Sequence, residues 1–196
     1  MTKTKPTVSN KDIALQTAMT LFLTKGYQAT SMDEIVKASK VSKTNIYYHF
    51  KSKEELLTAM VDRLIARYER QLASIAAQEE LTIEARLERI VSMLVANDDP
   101  IDVLGGCPFL TLYMQTAAES EYVRVQIKQF FDRQLLTLER LLEAGIRNQE
   151  LRSDLQVQPT AALMLTSIEG ALFLAKACDN PRILPNLLQG LFALLK

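Results

Sequence analysis

Apolar residues recur at three-to-four-residue intervals along most of this chain, and the interruptions divide it into elements. Ser31 followed by Glu34 forms a capping box: the serine hydroxyl accepts from the third helical amide and the glutamate reaches back to the cap amide. A helix is predicted from there, with Ile35 and Ala38 one turn apart on a common face and Val41 just beyond. The period stops at Ser39 and Lys40, where the turn falls. Ser42 supplies the next cap, and Ile46 and Phe50, four apart, give a short helix its inward stripe. Ser52 with Glu55 repeats the capping box, so another helix starts almost at once. In it Leu57, Met60, Val61, Leu64 and Tyr68 keep the spacing, which predicts one long helix from about Lys53 into the seventies.

Further helices are predicted at about 82–97, 108–118, 120–147, 158–178 and 182–195. The breaks are Asp98-Asp99-Pro100, Gly105-Gly106, the stretch from Asn148 to Gln158, and Asn180-Pro181. No strand alternation, internal repeat or low-complexity tract interrupts this. The pattern predicts an all-α chain: an N-terminal three-helix helix-turn-helix domain over residues 1–52 and a larger C-terminal helical bundle over 53–196.

With Ile46 and Phe50 turned inward, the outer face of the short helix carries Lys43, Thr44, Asn45, Tyr47, Tyr48 and His49. One cation, several hydrogen-bonding groups and two aromatic plates suit phosphates and base edges in a DNA major groove. Tyr47 also packs in part, which leaves Tyr48 and His49 as the better contact candidates. Charge changes the picture further. The formal net charge is zero, yet residues 1–53 hold nine Lys and three acidic residues, a formal +6, and the rest of the chain carries −6. A basic lobe gives nonspecific affinity for DNA by releasing counterions, while an acidic remainder is kept off the duplex.

At 196 residues and 48% hydrophobic content the chain can bury a sizeable helical core. The N-terminal MTKTKPTVSNK has no apolar run behind it, and Ile183 to Leu195 is too short to span a bilayer, so a cytoplasmic protein is expected. Two cysteines 71 positions apart and a single histidine make neither a disulfide framework nor a metal site. No cofactor is expected. No nucleophile motif or phosphate-cradling glycine loop occurs, and the acidic residues are scattered, so an enzyme is not expected.

The segment GYQATSMDEIVKASKVSKTNIYYHFKSKEELL, together with ALQTAMTLFLTKGYQATS before it, resembles the tetracycline-repressor (TetR) family of bacterial regulators over roughly positions 10 to 57. That resemblance implies operator DNA as partner, with Thr30 and Lys53 on phosphates and Ser42, Lys43, Thr44, Asn45, Tyr47, Tyr48 and His49 in or beside the groove. Two positions depart from the pattern: Lys40 stands where glycine is usual in the turn, and Thr44 where a small residue or glycine is usual. It also implies a homodimer through the last two helices, which are nearly bare of charge and need covering. A small-molecule effector in the helical domain would shift the recognition helices. Candidate lining groups are Phe109, Tyr113, Met114, Phe130, Phe131, Met164, Phe173 and Lys176, with Glu169 a second charge in the same apolar helix.

Cys107 in GGCPF is a further candidate. Pro108 suits a first helical position, so the thiol is predicted at a helix N-terminus, where the dipole favours thiolate. The Gly-Cys segment also resembles a branch of the family that senses electrophiles and oxidants. Against all of these stands a plainer expectation, that such residues are core. The alternative function is a helical adaptor with a vestigial helix-turn-helix.

Overall fold

The computed structural model describes residues 9–95 and 106–196, and every regular element among them is an α-helix. The expected break at Asp98-Asp99-Pro100, and Gly105, lie outside the described residues.

Helix α1 (Asn10–Thr24) is capped by Ser9, whose side chain accepts from the Asp12 amide. It buries Leu15, Ala18, Met19 and Phe22 at helical spacing and ends before Gly26, where φ is +104°. Helix α2 (Met32–Ser39) begins with the predicted capping box, both halves formed. Its inner face differs from the expected one. Ser39 rather than Ala38 is the buried partner of Ile35, because the i+4 residue falls closer to the same face. The Ser39 hydroxyl stays satisfied there, donating to the Val36 carbonyl and accepting from the Val41 amide. Lys40 takes the turn in the left-handed region, φ 58° and ψ 15°.

Ser42 caps α3 (Lys43–His49), and Ser52 caps α4 (Lys53–Ala76) by accepting from the Glu55 amide. Glu55 reaches one residue further back than predicted, to the Lys51 amide. Helix α4 buries Leu56, Leu57, Met60, Val61, Leu64, Ile65 and Leu72 and touches α1, α5 (Ile83–Val95) and α7 (Glu121–Arg147). Beyond it come α6 (Pro108–Thr116), α8 (Val157–Ala177) and α9 (Ile183–Leu195), with α7, α8 and α9 packed in succession. These bounds follow the sequence prediction within two residues.

The core forms two clusters. One runs from α1, α2, α3 and α4 through Phe109, Val123, Phe130, Ile168 and Leu172 without a gap at the start of α4. The other gathers Leu72, Ile83, Leu87, Leu138, Leu142, Met164 and Phe192 at the far end. Outside both, α8 and α9 expose Leu163, Phe173, Leu174 and Leu194. Helix α8 is long and apolar enough to cross a membrane by length and composition alone, and only 28% of its most apolar window is covered.

Two tests follow from the local chemistry. Lys40→Gly relieves a left-handed lysine and is expected to stabilise the fold by about 1 kcal/mol, read as a higher urea midpoint at unchanged slope. The bond from Lys25, then those from the Ser31 amide and hydroxyl, hold the exposed Glu34 carboxyl at about 2 against an ordinary 4.5. Its stabilising contribution is present above pH 4.5 and lost as pH falls towards 2. Glu34→Gln should therefore flatten the fall in melting temperature across that window, and an unchanged profile would contradict the assignment.

Candidate nucleic-acid interface and cavity

Only two side chains of the α3 segment anchor it in the core: Ile46 and Phe50 are buried, whereas Lys43, Thr44 and Tyr48 are exposed, Tyr48 by 74%. Ser42, also exposed, spends its hydroxyl oxygen on the Asn45 amide. At the other end Lys51 donates to the Tyr47 and Tyr48 carbonyls, 2.9 and 3.4 Å away, satisfying groups that a seven-residue helix leaves open. Sequence reasoning passed over Lys51; a cation placed at a helix C-terminus was the available signal. Tyr48 and His49 stand edge to face, centroids 4.9 Å apart. Tyr47 and His49 are half-buried, as is Asn45, whose Oδ1 is enclosed with no hydrogen-bond partner.

The cations here have partners in the absence of any ligand. Lys43 donates to Asp33 at 2.9 Å, a contact that raises its pKa, and lies over the Tyr47 ring. Both members are well exposed, so the pair is weak and readily exchanged for another anion. Lys53 donates to the Tyr27 carbonyl at 2.9 Å, with its nitrogen 4.3 Å from the centre of the Tyr27 ring. Thr30, expected on a phosphate, is turned inward. It is 1% exposed, its hydroxyl donates to the Gly26 carbonyl and its amide to the Tyr27 carbonyl, so nothing remains for an outside anion.

The same loop is tied to the helical domain. The Tyr27 amide donates to Gln115 Oε1 at 3.0 Å, and Gln28 bonds to Glu119, so the C-terminal end of α6 holds the entrance to α2. The N-terminal end of α6 borders a cavity. Cys107 is the α6 N-cap with Pro108 in the first turn, as predicted. The preceding Gly106 lies so close to α8 that a Cβ there would come within 2.4 Å of the Leu172 carbonyl oxygen.

The thiolate expected of Cys107 is not favoured. Burial pushes the thiol pKa well up, the charge of Glu169 and the bond to its carboxyl group push it further, and the Leu110 and Phe109 amides offset only part of this. Burial also raises the pKa of Glu169, opposed by the bond from Cys107, and Glu169 Oε2 is enclosed without a partner. Around the pair, Tyr68 meets Phe109 edge-on at 5.1 Å and Phe109 stacks on Phe130 at 3.9 Å. The cavity volume is about 50 Å³.

Of the residues expected to line an effector site, Cys107, Phe109 and Phe130 border this cavity. Phe131 packs behind them against Phe109 and Phe130, and Met164 belongs to the far core cluster. Tyr113, Met114, Phe173 and Lys176 are exposed and lie off this wall, each turned away by its position around α6 or α8. Tyr68, Gln134 and Thr137 line it without having been placed there from sequence, and Glu169, expected as a charge in an apolar helix to face a ligand or a dimer partner, lines it too.

Two family models match the chain: that of the bacterial regulatory proteins of the tetR family over residues 14–60, and the tetracyclin repressor-like C-terminal domain over 83–191. An uncharacterised HTH-type transcriptional regulator of Lactococcus lactis is 25% identical over 189 residues, 96% of this chain and 92% of that one. The HTH-type transcriptional repressor ComR of Escherichia coli is 28% identical over 138 residues, 70% and 66% respectively. Among solved structures, the reduced form of E. coli NemR superposes with a TM-score of 0.80 at 23% identity, covering 93% of this chain and 94% of that one.

The two thiols should differ in reactivity. Cys178 is exposed and Cys107 buried, so an aromatic disulfide reagent near neutral pH should label one thiol per chain at least about tenfold faster than the other. Cys178→Ser should abolish the fast phase; its persistence would overturn the burial of Cys107.

Proposed function

The chain belongs to the tetracycline-repressor family of transcriptional regulators, and from that premise we propose that it is a repressor. In this reading it binds a near-palindromic operator as a homodimer and releases it when a small apolar or aromatic molecule enters the helical domain. The observation that carries the reading is the outer face of α3. It is exposed and polar, presents Tyr48, Lys43 and Thr44, and is held rigidly by two buried side chains and by caps at both ends. A face with that content, on a basic lobe, suits a major groove and offers no enclosed site for catalysis.

Dimerisation follows from what α8 and α9 leave uncovered. Leu163, Phe173, Leu174 and Leu194 are exposed apolar side chains that a second copy would bury, and a twofold axis would set two recognition helices about 34 Å apart, one per half-site. We assign residues 1–52 to DNA binding and 53–196 to effector binding and dimerisation, in a cytoplasmic protein associated with the nucleoid. Coupling would run along α6, with the cavity at its start and the Gln115 to Tyr27 bond at its end. The position of Cys107 on the cavity wall supports a second reading, in which an electrophile seated there adds to the thiol; burial and its raised pKa make that addition slow.

Gel retardation against duplexes selected from a random pool tests the function. Sequence-selective retention with a steep salt dependence is expected, and Tyr48→Ala should weaken it at least about tenfold while changing stability by no more than about 0.5 kcal/mol. Lys43→Ala should lower the salt slope by about one. No selective retention at low salt would favour the adaptor instead.

A further inference from the structure

The cavity wall sets one acid among apolar groups. The Cys107 thiol donates to the Glu169 carboxyl group, while Glu169 Oε2 is shut off from solvent with no hydrogen-bond partner. An ionised carboxylate buried without a counter-charge is costly, and the described residues around the cavity include no lysine, arginine or histidine to supply one. Any counter-charge has to arrive with a ligand.

Two further features bear on what that ligand is. Tyr68, Phe109 and Phe130 crowd the same wall, and the faces of aromatic rings attract cations, most strongly where water is excluded. The cavity, about 50 Å³, is about a third of the roughly 150 Å³ apolar cavity that takes benzene. One six-membered ring with a short substituent therefore enters only as the surrounding side chains give way, and fused polycyclic molecules demand a larger rearrangement.

We infer that this cavity selects a single-ring organic cation, its primary or secondary ammonium paired with Glu169 and its ring against Phe109 and Tyr68. The inference rests on the cavity being the effector site of the repressor reading. A neutral ring fills the apolar volume but leaves Glu169 Oε2 without a charged partner, and an anionic ring finds no positive group on the described wall.

Calorimetric titration of the full chain with benzylamine, benzyl alcohol and benzoate at neutral pH tests it. Benzylamine should bind at least tenfold tighter than benzyl alcohol, and benzoate should not bind. Glu169→Gln should erase the preference for the amine, whereas Cys107→Ala, which keeps the carboxyl group, should retain it. Absent benzylamine binding, equal binding of amine and alcohol, or a preference that survives in Glu169→Gln would each overturn the inference. Should Glu169→Gln fail to fold, the ligand comparison in the unaltered protein and in Cys107→Ala decides alone. Gel retardation separates this inference from its premise. Operator release by benzyl alcohol but not by benzylamine keeps the effector reading and removes the cation; Glu169-dependent amine binding without release does the reverse.

Discussion

The inner stripe of α4 is the constraint on which the rest of this structure depends. Leu56, Leu57, Met60, Val61, Leu64 and Ile65 share one buried cluster with Phe22, Ile46 and Phe50 on one side and with Phe109, Val123 and Phe130 on the other. Each such side chain contributes on the order of 2 kcal/mol on burial, so no flexible joint separates the helix-turn-helix from the bundle. Because Ile46 and Phe50 suffice to anchor α3, its remaining face is free to be polar. The same continuity places Phe109 and Phe130 in one core with Ile46 and Phe50 of the α3 segment, and the Tyr27 amide bond to Gln115 ties α6 to the loop before α2.

Polar groups in this fold are defined by the partners they have. Lys51 secures the end of α3, Lys53 secures the loop at Tyr27, and Lys43 is held by an exposed aspartate that any phosphate can replace. Positive charge therefore both braces the lobe and faces outward from it. On the other side of α4 the situation is reversed. Cys107 and Glu169 have little but each other in an apolar surround, and burial favours the neutral form of both. One region is polar and basic, the other apolar around a single acid.

Local chemistry was legible in the sequence wherever neighbours along the chain decide it. The capping box at Ser31, the caps at Ser42 and Ser52, the start of α4 at Lys53 and the turn at Lys40 all involve residues within four positions of each other. What sequence hid depends on distant partners or on a choice between adjacent positions. Thr30 turns inward because the Gly26 carbonyl claims its hydroxyl, and Ser39 takes the buried place of Ala38 because the i+4 residue falls closer to the Ile35 face, its hydroxyl satisfied by two local hydrogen bonds. Cys107 meets Glu169 across 62 positions, a pairing that only the close approach of the segment before α6 to α8 creates. Tyr113 and Phe173 suited a cavity by type, but which side of a helix faces the space is set by a rotation of about 100° per residue, too fine a matter for composition to decide.

The central claim is that the outer side of α3 enters a DNA groove while the acidic bundle stays clear of the duplex. Hydrogen exchange of the protein with and without a selected duplex tests this most directly, since it reports each segment separately. Slowed exchange is expected in residues 42–53 and at the start of α2, with α5 and α7 unchanged on their outward faces. Unaltered exchange across α3, or protection concentrated on α5 or α7, would contradict the account.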